Sequence, residues 1–188
     1  MLLFPVVLPV PEVANNLSGK EKVAFLSKAA REALRLSAEK SGVLLGELKK
    51  DKDGSPLPFD GNYWSLSHKP RCVAAVVGRE RIGIDVEEIM PRPEALFGYL
   101  ATEEEWKLSE EKSLDAFFRY WTAKEATLKS VGRGIGELKR CRIISIRKRD
   151  HFILEYLGRF FAVEQLSYKN HIISVIKDNN EIEWVLSP

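Results

Sequence analysis

The chain has 188 residues, of which 45% are hydrophobic and 30% are charged, and its formal net charge is +2. This composition is that of an ordinary globular protein, and the length suffices for one domain or two small lobes with a buried core. A net charge this small does not by itself indicate binding to nucleic acid or to a membrane surface. Two cysteines, Cys72 and Cys141, are too few for a disulfide framework and have no neighbours at metal-ligand spacing, so we expect reduced thiols.

The first part of the chain predicts one helix and several strands. Residues 1–10 are apolar but interrupted by prolines, which excludes a secretion signal or a membrane span and predicts a cytoplasmic protein with an edge strand over 2–8. A helix is predicted over 19–40. Its expected apolar face consists of Val23, Phe25, Leu26, Ala30, Ala33 and Leu34. After a polar loop at 48–61, strands are predicted at 63–67, 71–77 and 82–87, with a hairpin turn at 78–80 joining the last two.

The second part repeats the order of helix and then strands. Thr102, with Glu105 three residues later, has the pattern of a capping box that begins a short helix. A longer helix is predicted from Leu114 to Val131, ending at Gly132. Five further strands are predicted at 142–147, 152–156, 159–163, 172–177 and 182–186. The periodicity alone predicts an α+β fold.

Two carboxylates share one face of the predicted strand 82–87. Ile82, Ile84 and Val86 alternate, so Asp85 and Glu87 project from the opposite face, with their Cα atoms roughly 6.5 to 7 Å apart. One interpretation is a solvated acidic face. The other is a cation site, because two carboxylates at this spacing repel each other unless a cation lies between them.

A third carboxylate lies on the apolar face of the predicted helix 114–131. This face contains Leu114, Phe117, Phe118, Trp121 and Leu128. Glu125 falls inside the face, while Lys124 and Lys129 lie at its two edges. Glu125 could be a core residue paired with one of these lysines, or it could join Asp85 and Glu87 around a metal ion. A set of three carboxylates without histidine or cysteine suits Mg²⁺.

Four short segments, in this order, resemble those of the 4′-phosphopantetheinyl transferases. They read Asp-Gly-Ser-Pro-Leu-Pro at 53–58, Trp-Ser-Leu-Ser-His at 64–68, Gly-Ile-Asp-Val-Glu at 83–87 and Trp-Thr-Ala-Lys-Glu-Ala-Thr-Leu-Lys at 121–129. Each pattern alone is weak, but the four together, at compatible spacing, are specific. The chain departs from the family pattern at Ser55, where a basic residue is usual, and at Lys69, where a small residue is common. The resemblance covers roughly residues 53–131 and favours the longer, two-lobed members of the family.

This resemblance implies a fold and a division of the chain. The expected fold is α+β, a pseudo-two-fold pair of similar lobes in which each lobe is a small antiparallel sheet packed with a long helix. The N-terminal lobe would comprise residues 1–89 and the C-terminal lobe residues 90–188. The active site would lie in the cleft between them, where coenzyme A binds.

The resemblance also implies a reaction and a set of site residues. The enzyme would transfer the 4′-phosphopantetheine group of coenzyme A to a carrier-protein serine and release adenosine 3′,5′-bisphosphate, with Mg²⁺ as cofactor. The metal ligands would be Asp85, Glu87 and Glu125. Glu125 and Lys129 would be the catalytic residues, with Glu125 as general base. Coenzyme A would be bound by Ser67, His68, Lys129 and Arg92, with His68 contacting its 3′-phosphate. For Lys124, an ion pair or an exposed side chain is at least as plausible as a substrate contact.

The expected partners are coenzyme A and an acyl or peptidyl carrier protein, with no nucleic acid and no membrane, and we expect a monomer. The stretch after the long helix is basic and would be either a solvated hairpin or a docking face for an acidic helix of the carrier. Its basic residues are Arg133, Lys139, Arg140, Arg142, Arg147, Lys148 and Arg149. A nucleic-acid-binding module is disfavoured because aromatic residues do not alternate with these cations. An Mg²⁺-dependent pyrophosphatase that cleaves coenzyme A or a dinucleotide remains an alternative, because water could replace the serine at the same carboxylates.

Overall fold

The structure, a computed structural model, describes residues 1–186. In this part the chain forms eleven strands and four α-helices. The first elements are β1 (Leu2–Leu3), β2 (Val6–Pro9), α1 (Gly19–Lys40), β3 (Tyr63–Lys69), β4 (Cys72–Gly78) and β5 (Ile84–Glu88). The helices α2 (Ala95–Leu100), α3 (Glu103–Trp106) and α4 (Leu114–Ser130) follow. The last strands are β6 (Arg142–Lys148), β7 (His151–Tyr156), β8 (Arg159–Tyr168), β9 (His171–Ile176), β10 (Glu181–Ile182) and β11 (Val185–Leu186).

The first sheet carries α1 on its outer face. Its strand order is β11-β2-β4-β3, antiparallel except for the parallel pair β11–β2. Ala30, Ala33 and Leu34 of α1 are fully buried against the alternate side chains of β4. The predicted bounds of α1 are confirmed. Val23, however, is 59% exposed and does not belong to the buried face.

Strand β2 is an interior strand and not the predicted edge strand. It is hydrogen-bonded on one side to β4 and on the other to β11, which comes from the far end of the chain. Proline cannot donate a backbone hydrogen bond, but Pro5 lies just before the strand and Pro9 is its last residue, so the residues between them can pair on both sides. Local sequence could not reveal a partner so distant along the chain.

The second sheet carries α4. Its order is β5-β9-β8-β7-β6, and all four pairings are antiparallel. Phe117, Phe118 and Tyr120 of α4 are buried against this sheet. The predicted hairpin at 78–80 is wrong, because β4 belongs to the first sheet whereas β5 pairs with β9 in the second. The turn carries the chain from one sheet to the other.

The two sheets pack face to face. The inner face of the first sheet contributes Val7, Ala74 and Val76, which meet side chains of β5 and β9. Those side chains are Ile84, Val86, Ile173 and Val175. The layers therefore follow the order α1, first sheet, second sheet, α4, and the prediction of an α+β fold with helices on mainly antiparallel sheets is confirmed.

The division of the chain at about residue 89 stays a prediction, and its second part, 90–188, extends two residues beyond those described. Strand pairings join residues on the two sides of this position. β5 joins the second sheet, while β10 and β11 pair in parallel with β1 and β2. None of the helices within residues 1–186 has the length and apolar character needed to cross a membrane.

Candidate active site between β5 and α4

The two carboxylates of β5 are buried and do not form a solvated acidic face. Asp85 is 4% exposed and Glu87 is 7% exposed. Ile84 and Val86 face the core between the sheets, so Asp85 and Glu87 project from the other side of the strand. Ser67 of β3 donates a hydrogen bond to Asp85 Oδ1 at 2.8 Å. Burial of two carboxylates so close together requires compensating positive charge.

Part of that charge comes from α4. Lys129 Nζ lies 2.7 Å from Asp85 Oδ1, and it also donates to Ser67 Oγ at 3.1 Å. The side chains of Ser67, Asp85 and Lys129, predicted from three separate segments, therefore meet in one hydrogen-bonded group. This contact joins β3, β5 and α4 at a single point.

Glu125 lies one helical turn before Lys129 but is not paired with it. Its Oε1 is buried and has no hydrogen-bond partner. Among residues 1–186 neither flanking lysine forms an ion pair with it, because Lys129 is paired with Asp85 and Lys124 is paired with Glu105. The interpretation of Glu125 as a core residue paired with a neighbouring lysine is therefore wrong, although the charge of Lys129 partly offsets the rise in its pKa.

Lys124 has a structural role. It is fully buried, and its Nζ lies 2.8 Å from Glu105 Oε1 and donates to the Leu100 carbonyl at 2.7 Å. Glu105 also accepts from the backbone of Thr102 and Ile143, so the predicted capping box is confirmed. The ion pair considered for Lys124 in the sequence is present, and it connects α4 to α3 and β6.

Two of the three carboxylates, Glu125 and Glu87, have raised pKa values. Burial raises the pKa of Glu125 to about 7, and the negative charges of Asp85 and Glu87 act in the same direction. The pKa of Glu87 is also raised, first by burial and then by Asp85, while Lys69 and Arg92 partly offset the rise. Charging all three groups is unfavourable in the absence of a further cation.

The donor set fits a hard cation, although the side chains are not arranged as a ready-made site. Within residues 1–186 no three histidine, cysteine, aspartate or glutamate side chains form a preformed metal cluster. Lysines lie on two of the carboxylates instead, Lys129 on Asp85 and Lys69 on Glu87. Asp85 Oδ2 and Glu125 Oε1 are nevertheless buried without a donor, and such oxygens are suited to Mg²⁺. The assignment of Asp85, Glu87 and Glu125 as metal ligands stays a prediction.

A glycine allows α4 to approach β5 this closely. A Cβ atom added to Gly83, just before β5, would overlap the carbonyl oxygen of Ala126 and lie 2.8 Å from Ser130 N. Only glycine can occupy this position without displacing the helix. The glycine of the segment 83–87 therefore sets the separation between Asp85 and Lys129.

A cleft of about 480 Å³ opens beside Glu125 and Lys129. Its opposite wall is formed by the loop before β3, including Lys50 and Ser55, and by Arg133 after α4. Trp64 holds this loop, since its Nε1 donates to the Leu57 carbonyl at 2.8 Å. The cleft thus has three cations on its walls, together with the carboxylates of Asp53 and Glu125, and the cations could bind a phosphorylated ligand.

The sequence does not predict Lys50 as a cleft residue, and its pattern places Arg133 in the basic stretch after the long helix instead. Lys50 forms an isolated bridge with Pro56, so the loop folds back and brings it beside the 53–58 segment. The sequence signal that could have indicated Lys50 is Ser55, which leaves the 53–58 segment without the basic residue that the family pattern usually has there. Lys52, on the same loop, does not line the cleft.

Arg92 lies on the Glu87 side of the acidic group formed by Asp85, Glu87 and Glu125, whereas His68, between Ser67 and Lys69 on β3, projects from the opposite face of that strand. Burial, together with the charges of Lys129, Lys69 and Lys50, lowers the pKa of His68 below its usual value. Arg92 lies near enough to Glu87 to lower the pKa of that carboxyl, and its guanidinium carbon lies 5.3 Å from the centre of the Phe118 ring. The structure therefore brings Arg92 to the acidic group, and the contacts of both residues with coenzyme A stay predictions.

The basic stretch after α4 does not act as one unit. Arg140 pairs with Glu137 at 3.0 Å, Arg149 pairs with Asp115 at 3.2 Å, and Lys139 lies over the Tyr99 ring. Arg133 faces the cleft, as described above. Arg142, Arg147 and Lys148 are exposed on the edge strand β6 and are the remaining basis for the predicted docking face.

Comparison with known proteins was consistent with this geometry. The sequence model of the 4′-phosphopantetheinyl transferase superfamily matches residues 81–179, more than half of the chain. The matched segment includes β5 and α4, and therefore Asp85, Glu87 and Glu125.

Two curated relatives illustrate the similarity. The chain is 36% identical over 116 residues to the 4′-phosphopantetheinyl transferase HetI of Nostoc. The aligned region covers 54% of this chain and 49% of the relative. It is 28% identical over 141 residues to the 4′-phosphopantetheinyl transferase psf-1 of Bacillus pumilus, which is 62% of this chain and 60% of the relative. The chain thus spans about half the length of the Nostoc protein and somewhat more of the Bacillus protein.

Proposed function

Because the chain belongs to the 4′-phosphopantetheinyl transferase superfamily, we propose that it transfers the 4′-phosphopantetheine group of coenzyme A to a serine of an acyl or peptidyl carrier protein. The other product is adenosine 3′,5′-bisphosphate. The observation that carries this proposal is the ion pair of the buried Asp85 with Lys129 beside the unpartnered Oε1 of Glu125, at a cleft that Lys50 and Arg133 also line. A group of this kind can hold a diphosphate and accept a proton.

We place coenzyme A in the cleft beside α4. Lys50, Lys129 and Arg133 provide positive charge along its walls. His68 would bind the 3′-phosphate, and Arg92, which lies near Glu87, would contact a phosphate of the same ligand. The 3′-phosphate would raise the pKa of His68, which its cationic neighbours lower in the free protein, and a protonated imidazole is the better donor.

The proposed metal is Mg²⁺, held by Asp85, Glu87 and Glu125. When bound, Mg²⁺ would neutralise negative charge that develops on the diphosphate as the phosphoanhydride bond breaks. Two of the proposed ligands each offer a buried oxygen without a donor, Asp85 Oδ2 and Glu125 Oε1, and this supports the assignment.

The side chains of this protein then divide the remaining chemistry. The serine oxygen of the carrier attacks the phosphorus that bears the pantetheine arm, and the bond from that phosphorus to the bridging oxygen breaks. Glu125 receives the serine proton as the general base. Lys129 donates to the departing phosphate, since its Nζ already lies at the edge of the acidic group.

We further propose that the molecule consists of two similar lobes related by a pseudo-two-fold axis. The arrangement of the layers supports this, since each sheet has one long helix, α1 or α4, on its outer face. A monomeric state and a cytoplasmic location stay predictions.

The proposal is tested by mass spectrometry of apo carrier proteins incubated with the enzyme, coenzyme A and Mg²⁺. We expect a mass increase of one phosphopantetheine on the carrier serine. Glu125→Gln should abolish the transfer while its circular dichroism stays that of the wild type. Glu12→Gln, at the exposed start of a short 3₁₀ helix, serves as the matched control.

Two outcomes would contradict the proposal. Near-normal transfer by Glu125→Gln would remove the general base from the mechanism. Cleavage of coenzyme A without modification of any carrier would instead support the pyrophosphatase alternative.

A further inference from the structure

Lys69 has no role in the proposed reaction, yet it forms an ion pair with one of the three carboxylates. Its Nζ is 2.7 Å from Glu87 Oε1. The Glu87 side chain is 9% exposed, while the Lys69 side chain is 33% exposed and can move into solvent. Lys69 is the last residue of β3 and reaches across to β5, so the ion pair joins the two sheets. It follows His68 directly, at the position where the family pattern commonly has a small residue.

The charge balance shows what this lysine does to the site. Asp85, Glu87 and Glu125 carry three negative charges when ionised, and Lys129 and Lys69 carry two positive charges. Among the groups in direct contact, one net negative charge therefore remains for an incoming divalent ion, and Arg92 near Glu87 reduces it further. With a neutral residue at position 69 two would remain, and each charge matters more in a partly buried site than at the surface.

The geometry adds a direct competition. Glu87 Oε1 accepts from Lys69 in the free protein, and Asp85 Oδ1 accepts from Lys129. A divalent ion must displace these ammonium groups or use the second oxygen of each carboxylate.

We propose that Lys69 is an internal counter-ion that keeps the affinity of the free protein for divalent cations low. The metal then binds tightly only together with a diphosphate ligand, whose negative charge offsets Lys69. The identity of that ligand as coenzyme A rests on the proposed function, whereas the effect of Lys69 on metal binding does not.

The experiment measures Mn²⁺ binding by electron paramagnetic resonance, without coenzyme A. The proteins are the wild type, Lys69→Met, Lys69→Gln and Lys69→Arg, with Lys28→Met on the exposed surface of α1 as control. We expect Mn²⁺ to bind about tenfold more tightly to the two neutral variants, as expected when a unit charge facing a divalent ion at close range is removed. Lys69→Arg and Lys28→Met should keep the wild-type affinity. With coenzyme A present, the difference between the wild type and Lys69→Met should shrink.

Unchanged or weaker Mn²⁺ binding in both neutral variants would overturn the proposal, as would an equal gain in Lys28→Met. Thermal unfolding identifies a variant that fails to fold, and Lys69→Gln, which keeps a polar side chain at the site, then replaces Lys69→Met. Transfer assays separate this proposal from the proposed function. If the wild type modifies the carrier but substitution of Lys69 does not change metal binding, only the counter-ion role of Lys69 is refuted. If the neutral variants bind metal more tightly but the wild type transfers nothing, only the transferase function is refuted.

Discussion

Glu125 combines burial, negative neighbours and a missing hydrogen-bond donor in one side chain. Its Oε1 has no partner, and its pKa is raised to about 7, chiefly by burial and then by Asp85. A carboxyl in this state is retained in a protein only at a cost in stability. The proposed function gives a reason for that cost, because a metal ion and a serine proton both need an available oxygen.

This cost predicts a pH-dependent stability. Between pH 4.5, the ordinary pKa, and about 7, the folded protein holds the Glu125 proton more tightly than the unfolded chain does. The contribution of Glu125 to the free energy of unfolding therefore falls as the pH rises through this window, and it stays low above it. Glu125→Gln should be more stable than the wild type above the window by up to about 3 kcal/mol, with the gain vanishing below it.

Urea denaturation of both proteins without divalent ions, at several pH values, measures this difference. Glu12→Gln, at the exposed start of a short 3₁₀ helix, should show no comparable trend. A stability difference between wild type and Glu125→Gln that is constant with pH would show that Glu125 titrates normally.

Residue identities at the site could be predicted where a local pattern marks them. Alternation identified the face of Asp85 and Glu87, and helical periodicity identified Glu125 and Lys129. The partners of these residues could not be predicted in this way. Lys69 on β3 of the first sheet reaches Glu87 on β5 of the second sheet, and Lys50 reaches the cleft because a loop folds back. Both contacts therefore depend on tertiary structure.

At the scale of elements, the packing of α4 against the start of β5 holds the site together. Gly83 lies where the two elements are closest, and a Cβ there would overlap the backbone of α4 at Ala126. A helix backbone cannot yield as a flexible side chain can. The position of Lys129 relative to Asp85 therefore depends on the absence of a side chain at residue 83.

Gly83→Ala should accordingly lower the free energy of unfolding by about 3 kcal/mol or more, because the helix must move away from the strand. Gly98→Ala is the matched control, since Gly98 lies inside α2 with open space around its Cβ position, where alanine should be neutral or stabilising by up to about 1 kcal/mol. Urea denaturation measures both. Equal stabilities of Gly83→Ala and the wild type would show that α4 does not pack this tightly against β5.

Elements marked by local signals were predicted closely, and pairings between elements were not. The capping box at Thr102 and the bounds of α1 were confirmed. The hairpin between β4 and β5 was wrong, since adjacent strands with a short turn usually pair but here enter different sheets. What decides the difference is the apolar inner face of β5, which packs on β4 instead of hydrogen-bonding to it.

At the scale of the whole molecule, two sheets packed face to face bring the site residues together. Ser67 comes from the first sheet, Asp85 and Glu87 come from the second, and Glu125 and Lys129 come from the helix that covers the second sheet. The first and last strands of the described chain also pair, β1 with β10 and β2 with β11. Neither arrangement follows from periodicity, which describes only neighbouring residues.

The central claim is that Asp85, Glu87 and Glu125 share one divalent ion beside a diphosphate. It is tested most directly by a crystal structure with Mn²⁺ and coenzyme A, in which anomalous scattering locates the metal. We predict a single strong anomalous peak among these three carboxylates, with the diphosphate of coenzyme A in contact with it and with Lys129. A metal peak away from the three side chains, or coenzyme A bound outside the cleft, would contradict the account.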